Sequence, residues 1–316
     1  MKQPRTDRAG SIAYMIVVAL FCTSADASTA PMIRKSAVAA VTSHPYDPQT
    51  RTVIGLPAHH VVEAGDTFLD IARNFKLGFN EMEALYPRID PWIPPSGTQL
   101  LIPSQRVLPR TVESGIIINL AELRLYYYFK AGPDPVVQTF PIGIGDRGWP
   151  TPLGSFSVGE KRENPTWYVP PSLRGKYGVD PIPPGPKNPL GRYWIRLSQS
   201  NYGIHGTNNP WSVGRQVTHG CIRLYPEDIE YLFGVLQPGT PITIIYEPIK
   251  IGLLASRIYA EVHGDPYERI HDFMAYGVRR LQESQMKGKV DLDRFRQLLE
   301  KQSGLAVDVT WPDWRP

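Results

Sequence analysis

The stretch from His205 to Leu224 constrains this chain more than any other. It reads His205-Gly206-Thr207, eleven further residues, then His219-Gly220-Cys221-Ile222-Arg223-Leu224. Two imidazoles and a thiol that act together must converge, although His205 lies well upstream of the other two. A strand does this simply: side chains two residues apart share a face, so an extended His219–Cys221 points both toward one side. Gly220 then leaves the backbone open on the other side, and Arg223 joins the same face if the strand continues. His205 has to arrive from a neighbouring strand or turn. A cysteine attacks as its thiolate, and a nearby imidazole is the usual means of producing one.

The remaining composition suits a sheet-rich molecule. With 32 prolines and 27 glycines in 316 residues, turns and extended loops are expected rather than a helical bundle. The length allows two or three domains with a real core. A formal charge of +4 is mild for this length and gives no nucleic-acid footprint, which needs basic residues gathered on one face. The N-terminus has the form of an export signal, residues 1–27. Lys2, Arg5 and Arg8 precede the apolar run Ile12–Cys22, and Ala25-Asp26-Ala27 fits the small-residue cleavage pattern. Export would leave Cys221 as the one cysteine of the mature chain. An odd cysteine there signals intermolecular pairing or a reactive thiol, and the adjacent histidines favour the thiol.

Along the chain, residues 28–59 carry Ala, Ser, Thr and Pro without a period and read as a linker or irregular arm. Residues 60–104 read as a small α+β unit in the order strand, helix, helix, strand. Thr67 with Asp70 forms a capping box for the first helix, and Asn80 with Glu83 marks the second. From residue 110 to 247 the texture is β: Ile116–Leu120, Leu123–Phe129, Val136–Ile144, Ser155–Val158, Tyr193–Leu197 and Pro241–Tyr246 are strand candidates. Between Glu160 and Arg192 lies a proline-dense loop, too long for a plain connection and expected to act as a lid over the cysteine. Pro226-Glu227-Asp228 opens a helix. Residues 248–316 are expected to be a helical extension, with helices opening near Asp265-Pro266 and at Asp291.

The catalytic segment resembles the signature of the L,D-transpeptidase (YkuD-type) family: one histidine, a gap, then Thr218-His219-Gly220-Cys221. Thr151-Pro152-Leu153-Gly154 and Asn188-Pro189-Leu190-Gly191-Arg192 extend the resemblance to the ErfK/YbiS-like branch. Residues 60–104 resemble a LysM module through Gly65-Asp66-Thr67, Ala72, Pro87 and Leu100-Leu101-Ile102-Pro103. The resemblance implies a mainly β catalytic domain of sandwich or barrel form with a few helices, beside a βααβ module that binds peptidoglycan glycan. It implies Cys221 as nucleophile and His205 as general base, with the Gly206 carbonyl orienting that imidazole. His219 and the backbone N–H groups of Gly220 and Cys221 would form the oxyanion pocket. Arg223 suits a substrate carboxylate, although pairing with an acid such as Asp228 is equally open. Thr218 would pack or hydrogen-bond on the substrate side.

The implied reaction attacks a peptidoglycan stem peptide at its diaminopimelate carbonyl, releases D-alanine and passes the acyl group to an amine. That amine would belong to another stem, to a lysine of an envelope lipoprotein or to a small D-amino acid, and carbapenems would acylate the thiol. The place of action would be the periplasm. Three rivals stand beside this reading. A zinc site at His205, His219 and Cys221 lacks paired ligand spacing and nearby carboxylates, so no metal or cofactor is expected. A wall-binding scaffold has no reason to keep the full His-Thr-His-Gly-Cys set. A hydrolase of the same stems differs only in using water as acceptor.

Overall fold

The computed structural model describes residues 40–109, 114–178 and 181–312. The export signal expected at residues 1–27 lies outside the described residues, as does the start of the arm.

The centre is a curled nine-stranded sheet. Its strands run in the order His44–Pro45, Asp134–Pro141, Arg124–Ala131, Gly115–Asn119, Pro241–Ile245, Gly154–Glu163, Tyr193–Leu197, Gly203–His205 and Ile222–Arg223. The curl comes from Gly154–Glu163. Its first half pairs with Pro241–Ile245 and its second with Tyr193–Leu197, with a register irregularity between Val158 and Lys161. Such an irregularity bends a strand and raises its twist. The two halves of the sheet therefore close over one apolar core, built from Ile116, Ile118, Leu125, Phe140, Ile195, Ile204, Ile222 and the inner face of helix Pro226–Val235. The forecast strands are present, with two differences. The one expected at Ser155–Val158 runs on to Glu163. The one expected at Val136–Ile144 ends at Pro141, with Ile144–Gly145 in a separate two-stranded sheet.

The unit before the sheet has the forecast order: Ala58–Val61, helices Phe68–Asn74 and Phe79–Leu85, then Gln99–Ile102 antiparallel to the first strand. Thr67 caps the first helix by accepting from the Asp70 N–H at 3.1 Å. The second helix is capped by Gly78 rather than Asn80, with the Glu81 carboxylate accepting the Gly78 N–H at 2.9 Å. The unit has its own core of Phe68, Ile71, Leu77, Met82 and Leu100. It is docked against the sheet domain: Arg73 grips Glu227 at 2.7 Å, Lys76 meets Asp228 at 2.5 Å, and Tyr225 donates to the Leu77 carbonyl at 3.0 Å.

Two expectations are corrected. The described part of the 28–59 arm is not a tether. His44–Pro45 adds an edge strand to the main sheet, Val53–Ile54 pairs with Arg106–Val107, and Tyr46 is buried. The 248–316 extension is not simply helical. Its helices, Phe273–Glu283 and Leu292–Lys301, pack on a three-stranded antiparallel sheet of Ile249–Leu254, Arg257–Val262 and Ala306–Asp308. Asp272 rather than Asp265 caps the first of them, and Asp291 caps the second as expected.

Where the three units meet, a buried ionic cluster replaces apolar packing. Glu81 holds Arg106 and Arg124. Lys250 lies 2.6 Å from Glu122 and 3.0 Å from Glu261, whose carboxylate also meets His263 at 2.6 Å. Glu122, Glu261 and His263 form a donor set compatible with a metal ion. The Lys250 ammonium already supplies the positive charge there.

Candidate active site

The strands bring the sequence-predicted residues to one cavity of about 630 Å³. Gly203–His205 pairs in parallel with Ile222–Arg223, which sets His205 opposite Arg223. His205, Thr218, His219, Cys221 and Arg223 all line this cavity. Gly206 contributes its carbonyl behind His205.

The segment His219-Gly220-Cys221 is a bend between the strands Gln216–Thr218 and Ile222–Arg223, not a continuous strand. Gly220 has φ +98°, and a Cβ there would lie 2.3 Å from the Tyr202 ring. The side expected to be open is thus covered by an aromatic ring, and a side chain at 220 is excluded by both conformation and space. The Thr218 hydroxyl donates to the Cys221 carbonyl at 2.5 Å and closes the bend from within. A short hydroxyl at position 218 therefore has a local structural use.

His205 is 3 % exposed. Its Nδ1 lies 2.6 Å from the Gly206 carbonyl, which can only accept, so Nδ1 carries the proton and Nε2 keeps its lone pair. Trp194, the cross-strand partner of His205, stacks on the imidazole at 5.6 Å. Burial, with the Arg223 charge second, pulls the His205 pKa down to about 3 against the opposing backbone hydrogen bonds of Gly206 and Leu190. Burial also pushes the Cys221 thiol up, opposed by the Gly203 backbone and Arg223. The resting pair is therefore neutral thiol and neutral imidazole, which differs from the preformed thiolate expected from the residue types alone.

Arg223 is not paired with Asp228, whose carboxylate is taken by Lys76. Among the described residues no carboxylate meets the Arg223 guanidinium, and its buried Nε has no hydrogen-bond partner. Burial lowers its pKa. A partly buried, unneutralised guanidinium at a cavity wall is a site for an anion.

The proline-dense loop forms one wall of the cavity: Pro165, Trp167, Tyr168, Pro170, Leu173 and Tyr177 line it. It has its own small core of Val169, Leu173 and Ile182. Asn188, fully buried, fastens its base by donating to the carbonyls of Pro165 at 2.8 Å and Pro183 at 3.2 Å while accepting the Leu190 N–H at 2.9 Å. Trp149, which packs on His219 at 6.0 Å, and Trp194 and Tyr202 were not singled out by sequence reasoning. Their positions become meaningful only once strand pairing is known.

A curled β sheet that presents a cysteine, two histidines and an arginine to one cleft has the groups of a candidate active site, and the similarity to known proteins shows the family. The family model described as the L,D-transpeptidase catalytic domain matches residues 113–244. The chain is 36% identical over 281 residues to the probable L,D-transpeptidase YcfS of Escherichia coli K12, covering 84% of this chain and 87% of that protein. It is 34% identical to the probable L,D-transpeptidase ErfK/SrfK of Salmonella typhimurium, covering 85% and 91%. It is 38% identical over 208 residues to the probable L,D-transpeptidase YbiS of E. coli K12, covering 64% and 65%. Among solved structures, the catalytic domain of the E. faecium L,D-transpeptidase aligns with 43% of this chain and all of its own length, at 25% identity and TM-score 0.32. The chain belongs to the L,D-transpeptidase family.

Proposed function

We propose that this chain transfers acyl groups between peptidoglycan stem peptides and amines through a thioester on Cys221. One observation carries the reading: the Cys221 thiol shares a cavity with an imidazole whose Nδ1 proton is committed to Gly206 and with a guanidinium that no carboxylate meets among the described residues. Nε2 of His205 is then the one basic nitrogen of that ring. It takes the thiol proton as sulfur attacks the diaminopimelate carbonyl of the donor stem. The resulting oxyanion is met by the backbone N–H groups of Gly220 and Cys221 together with His219. Collapse breaks the C–N bond, and the leaving D-alanine amine takes the proton from His205. An acceptor amine next attacks the thioester and returns a proton through His205 to the thiol. Arg223 binds a substrate carboxylate, with Thr218 holding the bend beside it.

The same reading assigns the 60–104 unit, as a LysM-like module, to the glycan strands and places the chain in the periplasm after export. The acceptor is a second stem or the lysine of an envelope lipoprotein. Carbapenems acylate the same sulfur through their strained lactam. The test is incubation with a tetrapeptide muropeptide, with and without an amine acceptor, followed by mass spectrometry. A thioacyl adduct on Cys221 and acceptor-dependent product are expected, and Cys221→Ala should lose turnover while still binding sacculi. Free acid as the sole product despite acceptor identifies a hydrolase. Retained turnover in Cys221→Ala removes the nucleophile assignment.

A further inference from the structure

The C-terminal unit lies outside residues 113–244, the span of the family's catalytic domain, yet one of its side chains bonds the segment that backs the catalytic bend. The backbone of Gly143–Asp146 splints that bend on both sides. Gly143 exchanges hydrogen bonds with Arg223 at 2.8 and 2.9 Å, Ile144 N–H donates to Arg215 at 3.0 Å, and Asp146 N–H donates to Thr218 at 2.8 Å. His219, Gly220 and Cys221 are thus held between two anchored residues, Thr218 and Arg223.

The splint itself is fastened at Gly145. The chain turns so tightly over this glycine that a Cβ would lie 2.1 Å from the Trp149 carbonyl. The Gly145 N–H donates to the buried Thr151 hydroxyl at 2.9 Å. The remaining groups of the turn are taken by Tyr267: its hydroxyl donates to the Gly145 carbonyl at 2.7 Å and accepts the Thr151 N–H at 3.3 Å. One hydroxyl therefore ties together the two ends of the 145–151 turn, the turn that presses Trp149 on His219.

Tyr267 is itself held from several directions. Its N–H donates to the Tyr246 hydroxyl at 3.1 Å, which in turn bonds Asp265. Arg269 lies over both rings at 5.1 Å. The neighbouring Pro266 carbonyl accepts from Gln216 at 3.0 Å and from Arg147 at 3.2 Å, on either side of the splint.

We propose that Tyr267 is a positioning residue for the Cys221 site, acting from the C-terminal unit through Gly145 and Thr151 on the bend that carries His219 and Cys221. The proposal rests on the acyl-transfer reading above, in which small displacements of that bend cost rate. Tyr267→Phe removes only the hydroxyl and leaves the ring contacts. In the full mature chain, kcat per titrated Cys221 is expected to fall about tenfold at little-changed KM, less than the roughly hundredfold that a misplacement of about 1 Å can cost. Thr151→Val, which removes the other staple of the turn, should give the same split. Arg257→Ala, in the same unit but at an exposed pair with Asp308, should match the wild type.

The comparison is made per titrated thiol, with thermal unfolding in parallel. Wild-type kcat per thiol in Tyr267→Phe, or a loss wholly explained by a smaller titratable fraction, overturns the proposal. A substrate-independent readout separates its failure from failure of the functional reading. The iodoacetamide rate of Cys221 should change severalfold in Tyr267→Phe whether or not the wild type transfers acyl groups. An unchanged rate counts against positioning. A wild type inactive on stem peptides, with that rate changed, counts only against the substrate.

Discussion

Acid–base poise at Cys221 leads to a test that distinguishes two forms of thiol catalysis. In the free protein His205 is pulled from 6.5 to about 3, and the Cys221 thiol lies above its ordinary 9.0. Moving the proton from sulfur to imidazole therefore climbs at least the interval from 3 to 9.0, about 8 kcal/mol at 1.36 per pKa unit. The two charges so created attract, but even at about 4 Å and an effective dielectric of about 20 this returns only about 4 kcal/mol. The neutral pair wins by roughly 4 kcal/mol, near a thousandfold. Consequently the free enzyme should hold less thiolate at neutral pH than the few per cent of an ordinary cysteine. Alkylation of Cys221 by iodoacetamide, followed by peptide mass spectrometry from pH 6 to 10, reads this directly. The rate should lie below that of a model thiol at pH 7 and keep rising with pH through the ordinary thiol range. Acylation by a stem peptide or carbapenem should instead be nearly flat from pH 6 to 8, because both reacting groups are neutral throughout. A rate plateau for iodoacetamide with its inflection below pH 7 would refute the argument. On the proposed mechanism slow alkylation alone is then no sign of a dead catalytic domain, since there the proton leaves sulfur only as the acyl carbon arrives.

Two further outcomes follow from buried polar groups. Asn188→Ala should lower stability by about 1–3 kcal/mol, by leaving buried backbone partners of the proline loop unmet; limited proteolysis should then cut within 164–192 faster, and undiminished protection would contradict the fastening role. Lys250→Met should cost about 3–5 kcal/mol in denaturant unfolding, because Glu122 and Glu261 lose the cation between them. The acid limb follows from the same cluster. The Lys250 charge overcomes the burial of Glu261 and, with the His263 hydrogen bond, holds its carboxyl down to about 2 from 4.5. Its contribution is therefore complete above about 4.5 and fades as pH falls through 2. Lys250→Met should flatten that loss, and an identical acid profile would contradict it.

Legibility in the sequence followed the kind of force that holds each part. Strands such as Gly115–Asn119 and Arg124–Ala131 were readable because apolar burial writes β-branched and aromatic runs into them. The strand pair at 249–262 was not, because Lys250 and Glu261 occupy core positions and break the alternation that marks a strand. Its turn adds no signal either, since Ala255 adopts φ +53° where glycine or asparagine would be looked for. The two-residue strands His44–Pro45 and Val53–Ile54 are shorter than any period can reveal.

The site divides the same way. Cys221, His205, His219 and Arg223 were visible because their chemistry requires particular side chains, and folding brings all of them to one cavity. The bend at Gly220 was misread as extended, since a glycine between two polar residues fits a strand and a φ of +98° equally well. Tyr267 gave no signal at all. It bonds to the backbone of Gly145 and Thr151, and every sequence has carbonyls and N–H groups to offer. Side chains that act on other side chains leave a pattern in the chain, whereas side chains that hold backbone leave one only in three dimensions. Positioning residues of this second kind therefore have to be sought in the folded molecule, in the layer immediately behind the residues that chemistry makes obvious.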